Sequence, residues 1–455
     1  MSANVDELPA GWVSADLDHL VRIRDSERVP VNQKGREARR GSVPYYGATG
    51  QVGWIDVPLF NERLVLLGED GAPFLDGTKP KAYIVDGPSW VNNHAHVLEA
   101  VHVNSRFLKH ALDAVDYRQH VSGTTRLKLT QGAMRKIKLP LPPAGEQARI
   151  VAEIERRMSH IDAALAGLEL AQRKTVRARA SILRAATDGS LLDVAAETDV
   201  AAVCDATGTS YDVIPERPGW VRVRIDSIAK VGSGSTPKRG NPRFWEGGSI
   251  PWVTSGQVVD GVIRAPAELI TDAALAETSV KLWPAGTLLV AMYGEGRTRG
   301  HCAELAIDAT CNQACAAIAL HPEFLDIQPY LKLVLQARYE ENRVLGSGGV
   351  QENLNLGLIK SIAIDVPPKE VRDALASEVD RRLSLLDAAE AGVNRQMARC
   401  ERLRRSTLAA AFTGQLVSQD PNDEPAEQLL EHIRAAKAVT DRQRRTRRAA
   451  KEPSR

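Results

Sequence analysis

Two short polar runs carry side chains suited to reading another molecule. "WVNNHAHVL" sets Asn92 beside Asn93, with His94 next, and "TCNQACAAI" sets Asn312 beside Gln313. A carboxamide offers a donor and an acceptor in one plane, so Asn or Gln can grip adenine through two hydrogen bonds in a DNA major groove. Basic loops precede both pairs. Arg39 and Arg40 precede the first; Lys238, Arg239, Arg243, Arg297 and Arg299 precede the second. Such cations suit phosphates, and Arg also reads guanine. Two aromatic-led loops add candidates: "VPYYGATGQ", with Tyr45, Tyr46 and Thr49, and "IPWVTSGQV", with Trp252, Thr254, Ser255 and Gln257. Asn241 opens a further loop, "NPRF". Ordinary loop polarity would supply the same residue types, so composition leaves both readings open.

Catalytic patterns do not emerge. The sequence has no GxxxxGK[ST] loop, and "GEGRTRG" from Gly294 lacks the spacing of a phosphate cradle. His94 and His96 could be two metal ligands, but no third is apparent; Cys311, Cys315 and His301 make a poor zinc pattern. "NPRF" is close to the Asn-Pro-Pro-aromatic motif of amino-methyltransferases, but arginine replaces the second proline and no glycine-rich cofactor loop precedes it. We read the chain as non-catalytic, with no metal ligands.

The 455 residues imply two or more domains, and 43% hydrophobic with 25% charged residues is ordinary globular composition. A formal net charge of +2 names no partner, so a nucleic-acid surface must be a local patch. Five scattered cysteines suit free thiols in a reducing compartment. Neither a signal peptide nor an apolar run of the ~20 residues needed to cross a membrane is visible. The expected location is cytoplasmic.

The elements that must position these loops come in duplicate. "EIERRMSHIDAALAG" from Glu153 returns as "EVDRRLSLLDAAEAG" from Glu378, 225 residues on. At the same shift Pro142-Pro143 returns as Pro367-Pro368, Ser122-Gly123 as Ser347-Gly348, and "SILRAATDGSLL" as "STLAAAFTGQLV". Heptad spacing joins Ile154, Ile161, Leu168, Thr175 and Ile182 in one copy and Val379, Leu386, Val393, Cys400 and Thr407 in the other; Ile150, Ala164, Ala171, Leu375, Ala389 and Leu403 widen the seam. Proline ahead and glycine behind (Gly189, Gly414) punctuate two helices. At roughly 40 residues, each would be about 60 Å long. A stripe that long must be buried, and the other copy is the economical partner.

Short β-branched runs broken by Gly and Pro make residues 1–145 and 216–367 two α/β (α+β) domains. The helices take 146–188 and 368–413, and 189–215 reads as a linker. Residues 414–455 hold a loop, "SQDPNDEP", a short helix, "AEQLLEHIRAAKAV", and a basic tail, "RQRRTRRAAK", expected to be solvated.

Taken together, "LPAGW" and "ERPGW", "VPYYGATGQVGWID", "GEDGA", "WVNNHAHVL", "STPKRGNPRFWEGGSIPWVTSG", "CNQACAAI" and the Pro-Pro-led helices resemble the DNA-specificity subunits of type I restriction-modification systems. The likeness runs over residues 8–420 or so. Its order and duplication are specific to that family, although no single motif is. It implies two target-recognition domains reading the halves of a split, asymmetric site. It implies two long helices pairing antiparallel as a ruler, with an internal pseudo-two-fold repeat. The implied partners are double-stranded DNA, two methyltransferase subunits and, in a complete system, restriction subunits, with no membrane. S-adenosylmethionine, Mg and ATP would belong to those partners and no cofactor to this chain. The first domain lacks the "STPKRGNP" loop of the second, so the two should not share a target. The competing readings are a methyltransferase or nuclease in its own right, and a coiled-coil scaffold that does not read DNA.

Overall fold

The computed structural model describes residues 8–192, 199–259, 261–293, 299–345 and 354–449. Both expected long helices form, over Ala144–Thr187 and Lys369–Phe412, 44 residues each. Their starts are built alike. Gln147 N–H donates to the Pro143 carbonyl, and Arg372 N–H to the Pro368 carbonyl. The buried side chains reach back one residue further: Gln147 Nε2 to the Pro142 carbonyl at 3.0 Å, and an Arg372 guanidinium nitrogen to the Pro367 carbonyl at 2.7 Å. Their ends are alike too. Gly189 and Gly414 take φ +77° and +70°, left-handed values that glycine adopts without strain. Gly414 presses on Pro9 and Gly189 on Trp220, so each helix stops against the "GW" opening of a domain.

The chain divides into two compact units, residues 1–169 with 394–455, and residues 170–393. The division cuts through both long helices, so each unit holds one sheet-bearing domain and half of each helix. In the first unit, Ile150, Val151 and Ile154 of the first helix share a core with Ala411 and Phe412 of the second. In the second unit, Leu183 and Ala186 share one with Val371, Leu375 and Val379. Within each unit, therefore, the two helix halves run antiparallel.

The seam holds at its heptad positions, with three corrections: Ala164, Ala389 and Leu403, each three residues past a heptad position, are exposed. Ile154 and Val379 are fully buried and Ile161 nearly so; Leu168, Ile182, Leu386 and Val393 are half-buried. Leu403 is 46% exposed and lies off the seam. At about 100° per residue it sits about 60° to one side of buried Cys400, whereas buried Thr407 and Ala411 and half-buried Arg404 lie on the helix face that turns inward.

Of the two four-stranded sheets of the first unit, the first is wholly antiparallel and the second is mixed. One runs Val21–Ile23, Ala95–Ala100, Leu64–Gly68, Ala82–Val85; the other runs Gln51–Ile55, Val43–Tyr46, Pro88–Val91, Phe60–Asn61. In the latter, Val43–Tyr46 and Pro88–Val91 pair in parallel, Tyr45 opposite Trp90 and Tyr46 opposite Val91. The second unit repeats this. Ile250–Val253 pairs in parallel with Thr310–Cys311, Trp252 opposite Thr310 and Val253 opposite Cys311. Leu288–Ala291 lies beside Cys315–Leu320 as Leu64–Gly68 lies beside Ala95–Ala100.

Two expectations about connections are corrected. The stretch read as a linker contains a helix, Val200–Thr207, whose Val200 and Cys204 are buried in the second unit. Asp199, just before it, accepts from Lys369 N–H at 2.9 Å and from Arg372 at 3.0 Å. The C-terminal segment is one helix, Ala426–Ala449, running on through the basic stretch, with Ala426, Leu429, Leu430 and Ile433 in the core of the first unit. Asp423 ahead of it binds Arg149 at 2.6 Å. After each long helix, then, a further helix returns to close a unit. All five cysteines are free and buried.

Candidate nucleic-acid interface

The equivalent strand pairs bring the two amide runs to the same place. Asn92 N–H donates to the Tyr46 carbonyl and Asn312 N–H to the Val253 carbonyl, both at 3.0 Å. The first amide of each pair is spent on its own turn. Asn92, 8% exposed, accepts from His94 N–H at 2.8 Å through its side-chain oxygen. Asn312, half-buried, accepts from the Cys315 thiol at 3.3 Å. The second amides, Asn93 and Gln313, are exposed. In each unit, then, one carboxamide builds the turn and the next is presented to solvent, where a base edge can be met.

Several candidates move off the interface. Tyr45 is 1% exposed, and its hydroxyl both donates to the Val31 carbonyl and accepts from Val31 N–H. Trp252 is 2% exposed, with its indole N–H on the Ser235 carbonyl. Both are core residues of their sheets, because successive strand residues face opposite sides and these point inward. Thr254 and Gln257 form a capping box, and Gln257 also donates to the Ala265 carbonyl at 3.1 Å. Asn241 caps the turn at Pro242, accepting from Arg243 N–H. These residues shape loops.

Other candidates lie at the surface. Arg40, Thr49 and Lys238 are exposed, and Tyr46 and Ser255 are half-buried. Arg39 is held by Asp56 at 2.7 Å and lies 4.7 Å over the Trp90 ring. Arg239 lies 4.1 Å from the Trp245 ring centroid and 4.7 Å from that of Trp252, with one nitrogen 2.5 Å from Glu268. Both guanidinium groups are stacked on aromatics and tied by a carboxylate, which fixes their direction before any ligand arrives. Arg243 pairs with Glu277. Thr236 donates to Gln313 Oε1, tying the "STPKRGNP" loop to the second amide turn. Arg299 is half-buried, and Arg297 lies outside the described residues.

Two clusters in the first unit escaped the sequence reading. His94 Nδ1 is 2.6 Å from Asp70 Oδ1, and Arg126 donates to the same carboxylate oxygen at 2.8 Å. Deeper, His96 stands with Nδ1 2.6 Å from Asp25 and Nε2 2.9 Å from the Leu129 carbonyl. Burial opposes charge on Asp25, but the hydrogen bond and charge of His96, Val97 N–H and Arg28 together hold its carboxyl below the ordinary range. Asp25, Glu69 and His96 offer ligand atoms within 4.8 Å of one another, a spacing that would suit a metal. Arg28, 2.7 Å from Glu69 and 3.6 Å from Asp25, already supplies positive charge among them. The cluster joins residues far apart in sequence, and only the "HAH" spacing hinted at it.

Comparison with known proteins fits this geometry. The family described as type I restriction modification DNA specificity domain matches twice, over residues 9–165 and 218–381. The EcoBI specificity subunit of Escherichia coli is 25% identical over 427 residues, covering 84% of this chain and 87% of that one. The EcoDI specificity subunit, also from Escherichia coli, is 22% identical over 464 residues, covering 95% and 97%. Among solved structures, a type I restriction-modification assembly chain aligns with a TM-score of 0.61 at 16% identity, over 90% of this chain and 99% of that chain. The HsdS subunit of Thermoanaerobacter tengcongensis aligns at 0.50 and 17% identity, over 91% and 100%. Two amide-bearing turns on a duplicated frame, matched twice by one family over most of its length, place the chain in the family of type I restriction-modification DNA-specificity subunits.

Proposed function

We propose that this chain reads an asymmetric, two-part DNA site and positions methyltransferase subunits on it for adenine methylation. The observation that carries this reading is the repeated turn, with a buried amide that builds it and an exposed one beside it, set on two domains with different surrounding loops. DNA half-sites lie at fixed separation and rotational phase, and a duplicated chain whose two units share two long helices suits the reading of such a site. The chain itself contributes no catalytic group. S-adenosylmethionine, and in a complete restriction system Mg and ATP, belong to its partners. Two methyltransferase subunits, one for each repeat, match the duplication, and the assembly works where the host DNA lies, in the cytoplasm. Methylation-aware sequencing of a host with and without this gene tests the reading. A two-part motif methylated only when the gene is present is expected; identical methylomes would overturn it.

A further inference from the structure

Three loops of the first unit are hydrogen-bonded into one rim. Glu69 N–H donates to the His94 carbonyl at 2.8 Å, and Gly71 N–H to the Leu127 carbonyl at 3.1 Å. Asp70 forms a bridge with Lys128. On this frame the His94 ring is held from one side only. Asp70 and Arg126 both meet its Nδ1 edge, at 2.6 Å and 3.5 Å. A carboxylate can only accept and a guanidinium can only donate, so the Nδ1–Asp70 contact puts a proton on Nδ1. The other ring nitrogen, Nε2, meets no protein group among the described residues, and the side chain is 38% exposed.

We propose that His94 is a specificity-determining residue for one DNA half-site, with Asp70 and Arg126 as its positioning residues. This rests on the reading that the amide turns face DNA. In the tautomer that carries its proton on Nδ1, toward Asp70, Nε2 is an acceptor. It suits the exocyclic amine of adenine or cytosine in the major groove, beside the Asn93 carboxamide. Arg126 holds the carboxylate, and Gly71 leaves it room: a Cβ there would stand 3.3 Å from Arg126 Nε, at a φ of +70°.

Among the described residues, the clamp belongs to one domain only. Gly68 pairs with Ala95 as Ala291 pairs with Cys315, so the counterparts of Asp70 and His94 are Tyr293 and Ala314. The backbone bond is kept, Met292 N–H to the Ala314 carbonyl at 2.8 Å, while the side chains differ in kind. A clamp needed for folding this frame would recur in the second unit; one that reads a sequence should not. Nor does stability explain it, since Arg126 is 61% exposed and pairs of that sort contribute little.

The test uses the whole 455-residue chain in complex with its methyltransferase subunits, selecting from a randomised duplex library. His94→Ala should relax one or more positions in a single half-site and weaken binding to the wild-type site roughly tenfold, leaving the other half-site unchanged. His94→Gln, which keeps an acceptor, should restore part of the preference. Asp70→Asn and Arg126→Ala should relax the same positions to a smaller degree. The wild-type consensus in both half-sites for His94→Ala, with an unchanged melting temperature, would overturn the assignment. Should His94→Ala melt early, exposed Arg126→Ala decides the matter by the same readout. A wild-type complex that enriches no two-part sequence would defeat the DNA-reading function itself, a separate failure.

Discussion

Arg404 reaches Asp162 in the first unit, and Arg179 reaches Asp387 in the second. Asp162 and Asp387 are 225 residues apart, and so are Arg179 and Arg404: the two bridges are one ion pair written twice. Each joins the first long helix to the second. The repeat seen in the sequence is therefore also a repeat of helix-to-helix contacts, with the same positions facing each other in both units. Two partly exposed bridges add little stability. They do fix register, because sliding one helix by a turn would break both.

Burial along the seam is graded, and substitutions should follow it. Ile154 and Val379 are fully buried, each in the core of its unit, whereas Leu168 and Val393 are half-buried. Ile154→Ala should cost about 2–5 kcal/mol, the range for emptying a packed core position. Leu168→Asp or Val393→Asp should lower thermal stability and weaken methyltransferase docking, because a carboxylate there loses part of its hydration without a partner. Leu403→Asp, at an exposed position, should leave the melting temperature nearly unchanged. Differential scanning calorimetry checks the order; a Leu403 effect as large as that of Ile154 would refute it.

The two members of each amide pair should fail differently. Gln313→Ala should change base preference in one half-site with little effect on folding, since the side chain is exposed and, among the described residues, tied only to Thr236. If Gln313 makes a bidentate base contact, the loss is ~1–3 kcal/mol of discrimination. Asn312→Ala should instead loosen the turn, because the Cys315 thiol loses its acceptor. Its effect should be on melting temperature and on all DNA sequences alike. Binding titrations against a panel of half-site variants, with melting curves, separate the two.

Much of this was legible in sequence because it follows period or punctuation. The heptads, the Pro-Pro starts and the glycine stops gave both helices to within two residues. What was not legible depends on which groups meet across the fold. Tyr45 and Tyr46 are neighbours of the same type, yet only strand pairing decides which one faces the core. Nothing local distinguishes Asn92 from Asn93. The helix at Val200–Thr207 is short, and its apolar face has meaning only against a core built from residues far along the chain. Asp70, His94 and Arg126 likewise converge from three separate loops.

Glu146 should make stability depend on pH. It is 1% exposed, with one carboxylate oxygen on the Trp12 indole N–H at 2.9 Å and the other without a partner. Burial pushes its carboxyl above the ordinary range, against the opposing pull of Trp12 and Arg149. A carboxyl whose folded value is raised binds its proton more tightly when folded. Its charged form therefore penalises folding at neutral pH, and the penalty fades as pH falls through the folded value toward the unfolded one. Glu146→Gln keeps an acceptor for Trp12 and removes the charge. It should stabilise the protein at pH 7–8, and its advantage should shrink toward pH 4–5. Melting temperatures of both proteins across that range check the sign; an advantage that grows on acidification would be the wrong one.

A fragment carrying one recognition domain should dimerise, and the ion pairs say how. In a two-fold pair of first helices, Arg179 of one copy takes the place of Arg404. It then meets Asp162 of the other copy, not its own counterpart. The charges are thus complementary in the homodimer, as they are in the native pair. The fragment must not end at the helix. In the native chain Ala426–Ala449 returns to close the first unit, and Val200–Thr207 is the matching element after the first helix. A fragment through Thr209 retains that closing helix, and one ending at Leu192 lacks it. Light scattering at tens of micromolar should give a dimer for the longer fragment and a weaker one for the shorter. With methyltransferase subunits present, the longer fragment should direct methylation to an inverted repeat of a single half-site, because a two-fold protein reads a palindrome. Arg179→Glu in that fragment sets a second carboxylate against Asp162 and should weaken the dimer; adding Asp162→Arg should restore it. A strictly monomeric longer fragment would mean that the two helices are complementary and not interchangeable, and the symmetric frame would have to be given up.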